Sequence, residues 1–128
     1  GTVEVTGNVT TGFAVKAEGD IIVNGVVEGA TLVSGGNIVL KRGMQGMDRG
    51  MLQAEGNITA KFLENCKVRC KGMLKADAIL HSDVECQENV DILGKKGLIN
   101  GGSLSTYADV HATTLGSTMG ASTKIKII

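Results

Sequence analysis

The chain has 128 residues, about the length of one domain, with 13 basic and 13 acidic side chains, 19 Gly, no Pro, two Phe, one Tyr and no Trp. Balanced charge removes the field that would draw it to nucleic acid or an acidic membrane, and the scarcity of aromatics removes the stacking platforms that single-stranded nucleic acid needs. No stretch reaches the roughly 18 consecutive apolar residues of a membrane span, and three Cys, an odd number without paired spacing, point to a reducing cytoplasmic setting.

A repeat opens at Gly7-Asn8-Val9 and returns at Gly19-Asp20-Ile21, Gly36-Asn37-Ile38 and Gly56-Asn57-Ile58. Degenerate copies follow at Gly72-Met73-Leu74, Glu88-Asn89-Val90 and Ala108-Asp109-Val110. Successive copies lie 12, 17, 20, 16, 16 and 20 residues apart, so a core unit of 16 residues carries insertions.

Each unit then runs in the same order. Its first strand has apolar residues at Ile21, Ile38, Ile58, Leu74, Val90 and Val110, and again two residues later at Val23, Leu40, Ala60, Ala76, Ile92 and Ala112. The residues between them, Ile22, Val39, Thr59, Lys75, Asp91 and His111, become polar along the chain. That alternation is the period-2 mark of a strand with one buried face. A second short strand fits Val26-Val27, Met44, Phe62-Leu63, Ile79-Leu80, Leu98-Ile99 and Leu115. A third carries an aliphatic column, Val15, Leu32, Leu52, Val68, Val84 and Leu104, then a small column, Ala17, Ser34, Ala54, Cys70, Cys86 and Thr106.

The pattern predicts an all-β fold: a single-stranded, right-handed parallel β-helix (β-solenoid) of about six three-strand rungs, 16–20 residues each, forming one domain over residues 1–128. One such rung neither buries its own inward face nor satisfies its backbone N–H and C=O groups, so rungs must stack about 4.8 Å apart. Gly, Asn and Asp are expected at the corners because they tolerate positive φ. The Asn/Asp column (Asn8, Asp20, Asn37, Asn57, Asn89, Asp109) should form a stacked ladder that Met73 breaks. Two insertions, residues 47–49 and extra residues within 94–102, should both bulge from the corner that follows the Val26-Val27/Met44 strand of their rungs. Because it begins at Gly1 rather than Met, the chain is read as a segment of a longer protein.

With these columns in view, the sequence resembles the β-helical region of the flagellar assembly protein A (FapA) family. The resemblance is carried by AEGDIIVNGVVEGA (17–30), GGNIVLKRGMQG (35–46), AEGNITAKFLENCKV (54–68), ADAILHSDV (76–84) and GKKGLINGG (94–102). It departs at Lys71-Gly72-Met73 and Gln87-Glu88-Asn89, where the family more often has a Gly-Gly-Asp/Asn corner. The C-terminal domain of the septum-site protein MinC is similar at GDIIVNG (19–25), and bactofilins are similar in their Gly-punctuated rungs. The resemblance implies a bacterial protein that binds a protein partner or itself, linked to flagellar or cell-envelope organisation.

The residues give little chemistry. Cys70 and Cys86 fall in the small inward column and Cys66 aligns with Ala30, Gly50 and Ser82, so all three read as small core residues rather than metal ligands. His81 sits at a corner and His111 in an outward column, neither with an orienting partner in sequence, and His111→Asp is expected to be nearly silent. Lys41, Arg42, Lys61, Lys95 and Lys96 share a corner and form a candidate basic stripe for an anion or an acidic protein, interrupted by Asp77. The plainer reading of that stripe is a solvated edge that discourages strand pairing.

No catalytic residue, metal site or cofactor is assigned. The expectation is a non-enzymatic scaffold with no nucleic-acid partner. The alternative is a structural element that polymerises end to end. A polysaccharide-acting enzyme is disfavoured, since it would need grouped carboxylates and aromatic platforms.

Overall fold

The computed structural model describes residues 1–116 and 122–128. The strands are β1 (Val3–Val5), β2 (Ala14–Ala17), β3 (Ile21–Val23), β4 (Val26–Val27), β5 (Thr31–Ser34), β6 (Ile38–Ala54), β7 (Ile58–Cys70), β8 (Leu74–Ala76), β9 (Ala78–Cys86), β10 (Val90–Ile92), β11 (Leu98–Thr106), β12 (Val110–Ala112), β13 (Thr114–Leu115) and β14 (Thr123–Ile127).

Among the described residues every strand pairing is parallel, and the pairings build three ladders. The first face is β1-β3-β6-β7-β8-β10-β12. The second runs from a bridge at Val9 through β4 and the middle of β6 and β7 to the starts of β9 and β11, and on to β13. The third runs through β2, β5, the ends of β6, β7, β9 and β11, and β14. β6 and β7 pass round all three faces without a break. This is the parallel β-solenoid that the alternation predicted.

The core is the axis of the prism. Ile21, Ile38, Ile58, Leu74 and Val90 stand one above another and are fully buried. Val27, Met44, Leu63, Ile79 and Ile99 do the same from the second face, and Leu32, Leu52, Val68, Val84 and Leu104 from the third. Each column is drawn from one side of an alternating strand, so the interior stays dry along its length.

Four expectations need correction. Among the described residues there are seven rungs rather than about six, because the first ladder has seven strands. The additional rung starts at β1, which no Gly-Asx-aliphatic tripeptide announces. Val3 pairs with Ile21, whereas Val9 pairs with Val27 on the second face. Gly7-Asn8-Val9 is therefore a corner of a different kind, and the 12-residue spacing is not a rung.

Third, the Asn/Asp column does not work through positive φ. Among the described residues, the non-Gly positive φ values belong to Met47, Asp48, Asn65 and His81. The column uses side-chain carbonyls instead: Asn37 N donates to Asp20 Oδ1 at 2.8 Å, Asn57 N to Asn37 Oδ1 at 2.7 Å, and Asp109 N to Asn89 Oδ1 at 3.0 Å. Glycine is required beside this ladder for close approach, since a Cβ on Gly72 would collide with Asn57 Oδ1.

Fourth, the later insertion is at the first corner, not at the one after the second strand. Ile92 pairs with Ala76 and Leu98 with Ala78, so residues 93–97 stand opposite Asp77 alone. Gly94, Gly97, Gly101 and Gly102 all suit corners, so length mismatch alone did not locate the bulge. The insertion at residues 47–49 is at the second-to-third-strand corner as expected, marked by the register shift between Gln45 and Gly50.

Candidate functional site

The first corner, between the first and second strands of each rung, gathers the predicted basic residues. Leu40 pairs with Ala60 and Gly43 with Phe62, so Lys41 and Arg42 bulge where the next rung has only Lys61. Asp77 occupies the same corner on the following rung, and Lys95 and Lys96 lie in the bulge above it. All five cations are exposed.

The structure divides this stripe. Lys61 Nζ is 3.7 Å from Asp77 Oδ2, so the middle of the corner is neutralised. Among the described residues, Lys41, Arg42, Lys95 and Lys96 have no carboxylate within ion-pair distance, whereas at the same corner Lys61 has one. Two free cation pairs result, three rungs and so about 14 Å apart at ~4.8 Å per rung.

The second corner holds a groove of about 430 Å³ bordered by Asp48, Arg49, Asn65, Lys67, His81 and Asp83. Met47 and Asp48 have φ of 55° and 60°, the backbone pattern of a type I′ turn, while Asn65 and His81 repeat the left-handed corner on the next rungs at 52° and 49°. The length mismatch showed that something protrudes here. Residue type did not signal the left-handed backbone at Met47, a side chain that rarely adopts it.

Cys66 lies under this groove. Its N–H donates to Ser82 Oγ at 3.3 Å, and the Ser82 hydroxyl donates to Leu80 O at 3.0 Å. Burial pushes the Cys66 thiol up to about 11, so it is protonated and poorly nucleophilic at neutral pH. Cys70 and Cys86 are buried and in register, as the column reading required.

On the outer side of the first face, His111 Nδ1 lies 2.8 Å from Asp91 Oδ1. The outward column sets Asp91 next to His111, and the structure makes that neighbour the partner that local sequence around His111 does not supply. The third face carries Arg69 between two carboxylates, Asp83 Oδ2 at 3.1 Å and Glu85 Oε2 at 3.4 Å. Among the described residues no group of three or more His, Cys, Asp or Glu is arranged to hold a metal ion. No helix among them is long and apolar enough to cross a membrane.

Compared with known proteins, the chain matches over residues 1–128 the family model described as the Flagellar Assembly Protein A beta solenoid domain. No curated protein and no solved structure matches it.

Proposed function

The chain belongs to the FapA β-solenoid domain family, and we propose that it acts as a non-enzymatic scaffold whose first corner docks an acidic protein partner, in flagellar or cell-envelope organisation within the bacterial cytoplasm. The observation that supports this reading is the clustering of exposed Lys41, Arg42, Lys95 and Lys96, without carboxylate partners, on the one corner where Lys61 is paired with Asp77. A stack of hydrogen-bonded rungs holds the two cation pairs at a fixed separation. Complementary charge at such a rim mainly speeds encounter and selects the partner.

The test is capture from a bacterial lysate with wild type and with K41E/R42E/K95E/K96E. The captured protein should be acidic, released by salt, and reduced at least about tenfold by the reversal, since like charges then face each other. Unchanged capture by the folded variant overturns the reading.

A second reading, end-to-end self-association, is favoured by the outermost rungs. Leu115 and Ile127 are 60% and 56% exposed at one end, and Phe13 is 64% exposed at the other. Parallel edges with apolar side chains are templates for another chain. Light scattering and negative-stain imaging over a concentration series should show growing filaments. A monomer at every concentration rules this reading out.

A further inference from the structure

Cys70 and Cys86 are opposed on adjacent parallel strands, joining the fourth rung to the fifth. Strands so paired bring Cα atoms about 4.8 Å apart, inside the roughly 4.4–6.8 Å window of a disulfide. Both side chains point into the third corner, and their Sγ atoms are 3.0 Å apart. The neighbours in the same column are Ala54 below and Thr106 above, small residues that do not force the sulfurs apart. Cys66 is different, because its in-register neighbours are Gly50 and Ser82 and offer no second sulfur.

We propose that Cys70 and Cys86 form an oxidisable pair that closes to a disulfide within the core, stapling the fourth and fifth rungs. The oxidant is hydrogen peroxide, little larger than water. Cys70 is 4% exposed and borders a surface groove of about 240 Å³ between Glu55, Arg69, Lys71, Glu85 and Tyr107, which gives peroxide its approach. Cys86 is fully buried behind it.

The chemistry balances as a two-electron oxidation. The Cys70 thiolate attacks one peroxide oxygen, the O–O bond breaks, and the departing hydroxide takes up a proton as water, leaving a sulfenic acid on Cys70. Cys86 sulfur then attacks Cys70 sulfur. The S–O bond breaks, the S–S bond forms, and hydroxide leaves with the Cys86 proton as a second water. The shared contact assists the first step: the hydrogen bond with Cys86 holds the Cys70 thiol below its ordinary range, while that bond and burial hold Cys86 above it. Position sets the roles: Cys70, which borders the groove, is the attacking sulfur, and Cys86, 3.0 Å behind it, is the resolving one.

The test treats the native full chain with dilute peroxide and maps peptides under non-reducing conditions. The expected result is a loss of about 2 Da, a peptide joining Cys70 to Cys86, and a free Cys66, since only one pair is placed to close. A thiol reductant should reverse it. The midpoint of thermal unfolding should rise by about 5–10 °C, as expected for closing a loop of this length in a small domain. C86A should fold, because Ala54 already fills the same column, and should lose both the joined peptide and the thermal shift. A joined peptide that forms only in denaturant, or native Cys66 oxidised as fast as Cys70, overturns the proposal.

Discussion

The backbone N–H of Met73 donates to Asn57 Oδ1 at 2.9 Å, and Met73 carries no oxygen to extend the same bond to Asn89 on the next rung. The corner ladder that runs from Asp20 through Asn37 to Asn57 stops there and resumes only between Asn89 and Asp109. Restoring the acceptor should restore the ladder. Met73→Asn is expected to stabilise the protein by about 0.5–1 kcal/mol, the net worth of one hydrogen bond at a partly solvated site. Urea unfolding reads this as a higher midpoint at unchanged slope. A midpoint equal to or below wild type would show that a Met73 side-chain contact outweighs the bond.

The stacked isoleucines give a harsher prediction. Ile58 is fully buried between Ile38 and Leu74. Ile58→Asp places an unpaired carboxylate in that dry column, at a cost of several kcal/mol, comparable with the whole stability of a domain this size. Each rung is stabilised by its neighbours, so the damage should spread to adjacent rungs. Thr59→Asp, one residue later on the exposed side, should change stability by less than about 0.5 kcal/mol. Hydrogen exchange along the chain separates the two, and equal protection loss in both variants would contradict the inward and outward assignment.

The columns were legible because a strand's period of two survives any corner length. Ile38 and Ile58 align whether or not residues 47–49 intervene. What the columns could not resolve was which corner a Gly-Asx pair serves. Gly7-Asn8 looks like Gly19-Asp20, yet Asn8 Oδ1 accepts from Val26 N and Asp20 Oδ1 from Asn37 N, on different edges of the prism. Outward contacts between rungs follow from the same columns only when neighbouring members are read as a pair. His111→Asp looked silent from its column, but His111 lies against Asp91, so the change would set two carboxylates side by side and cost up to about 0.5 kcal/mol at this exposed position. Of the candidate site, the shared corner and the interruption at Asp77 were readable. The left-handed turn at Met47 and Asp48 was not, because Asp48 suits it but Met47 is a residue that rarely adopts it.

That turn yields a third prediction. Met47 and Asp48 hold φ of 55° and 60°, and Met47 is 53% exposed, so little burial offsets the unfavourable backbone. Asn-Gly is the pair such a turn prefers. Met47→Asn with Asp48→Gly should stabilise by about 0.5–1 kcal/mol, through relief of the left-handed conformation set against the extra freedom of Gly in the unfolded chain. The melting temperature should rise by a few degrees. A fall would mean that the native side chains make contacts worth more than the strain, the Thr11 hydroxyl on Met47 Sδ at 3.4 Å being the first to examine.

Arg69 and Asp83 make stability depend on acid. Burial pushes the Asp83 carboxyl up, but the hydrogen bond and charge of Arg69, with help from Ser103, outweigh it and hold the group below its ordinary 3.8. A carboxylate whose folded pKa lies below its unfolded one binds fewer protons when folded. Its contribution is therefore fully present above the unfolded value, near pH 4, and is lost as pH falls through the lower folded value. The Asp83 side chain is 47% exposed, so solvent screening limits the effect to under about 1 kcal/mol. Asp83→Asn should flatten the acid limb of a stability curve measured between about pH 5 and pH 2, where carboxylates titrate, while leaving its shape above pH 5 unchanged. Raising salt should shrink the difference between the two proteins at pH 5. If the variant and wild type lose stability in parallel over that range, Arg69 contributes to the third face through its bonds to the Val68 and Asp83 carbonyls, at 2.9 and 3.1 Å, and not through the carboxylate.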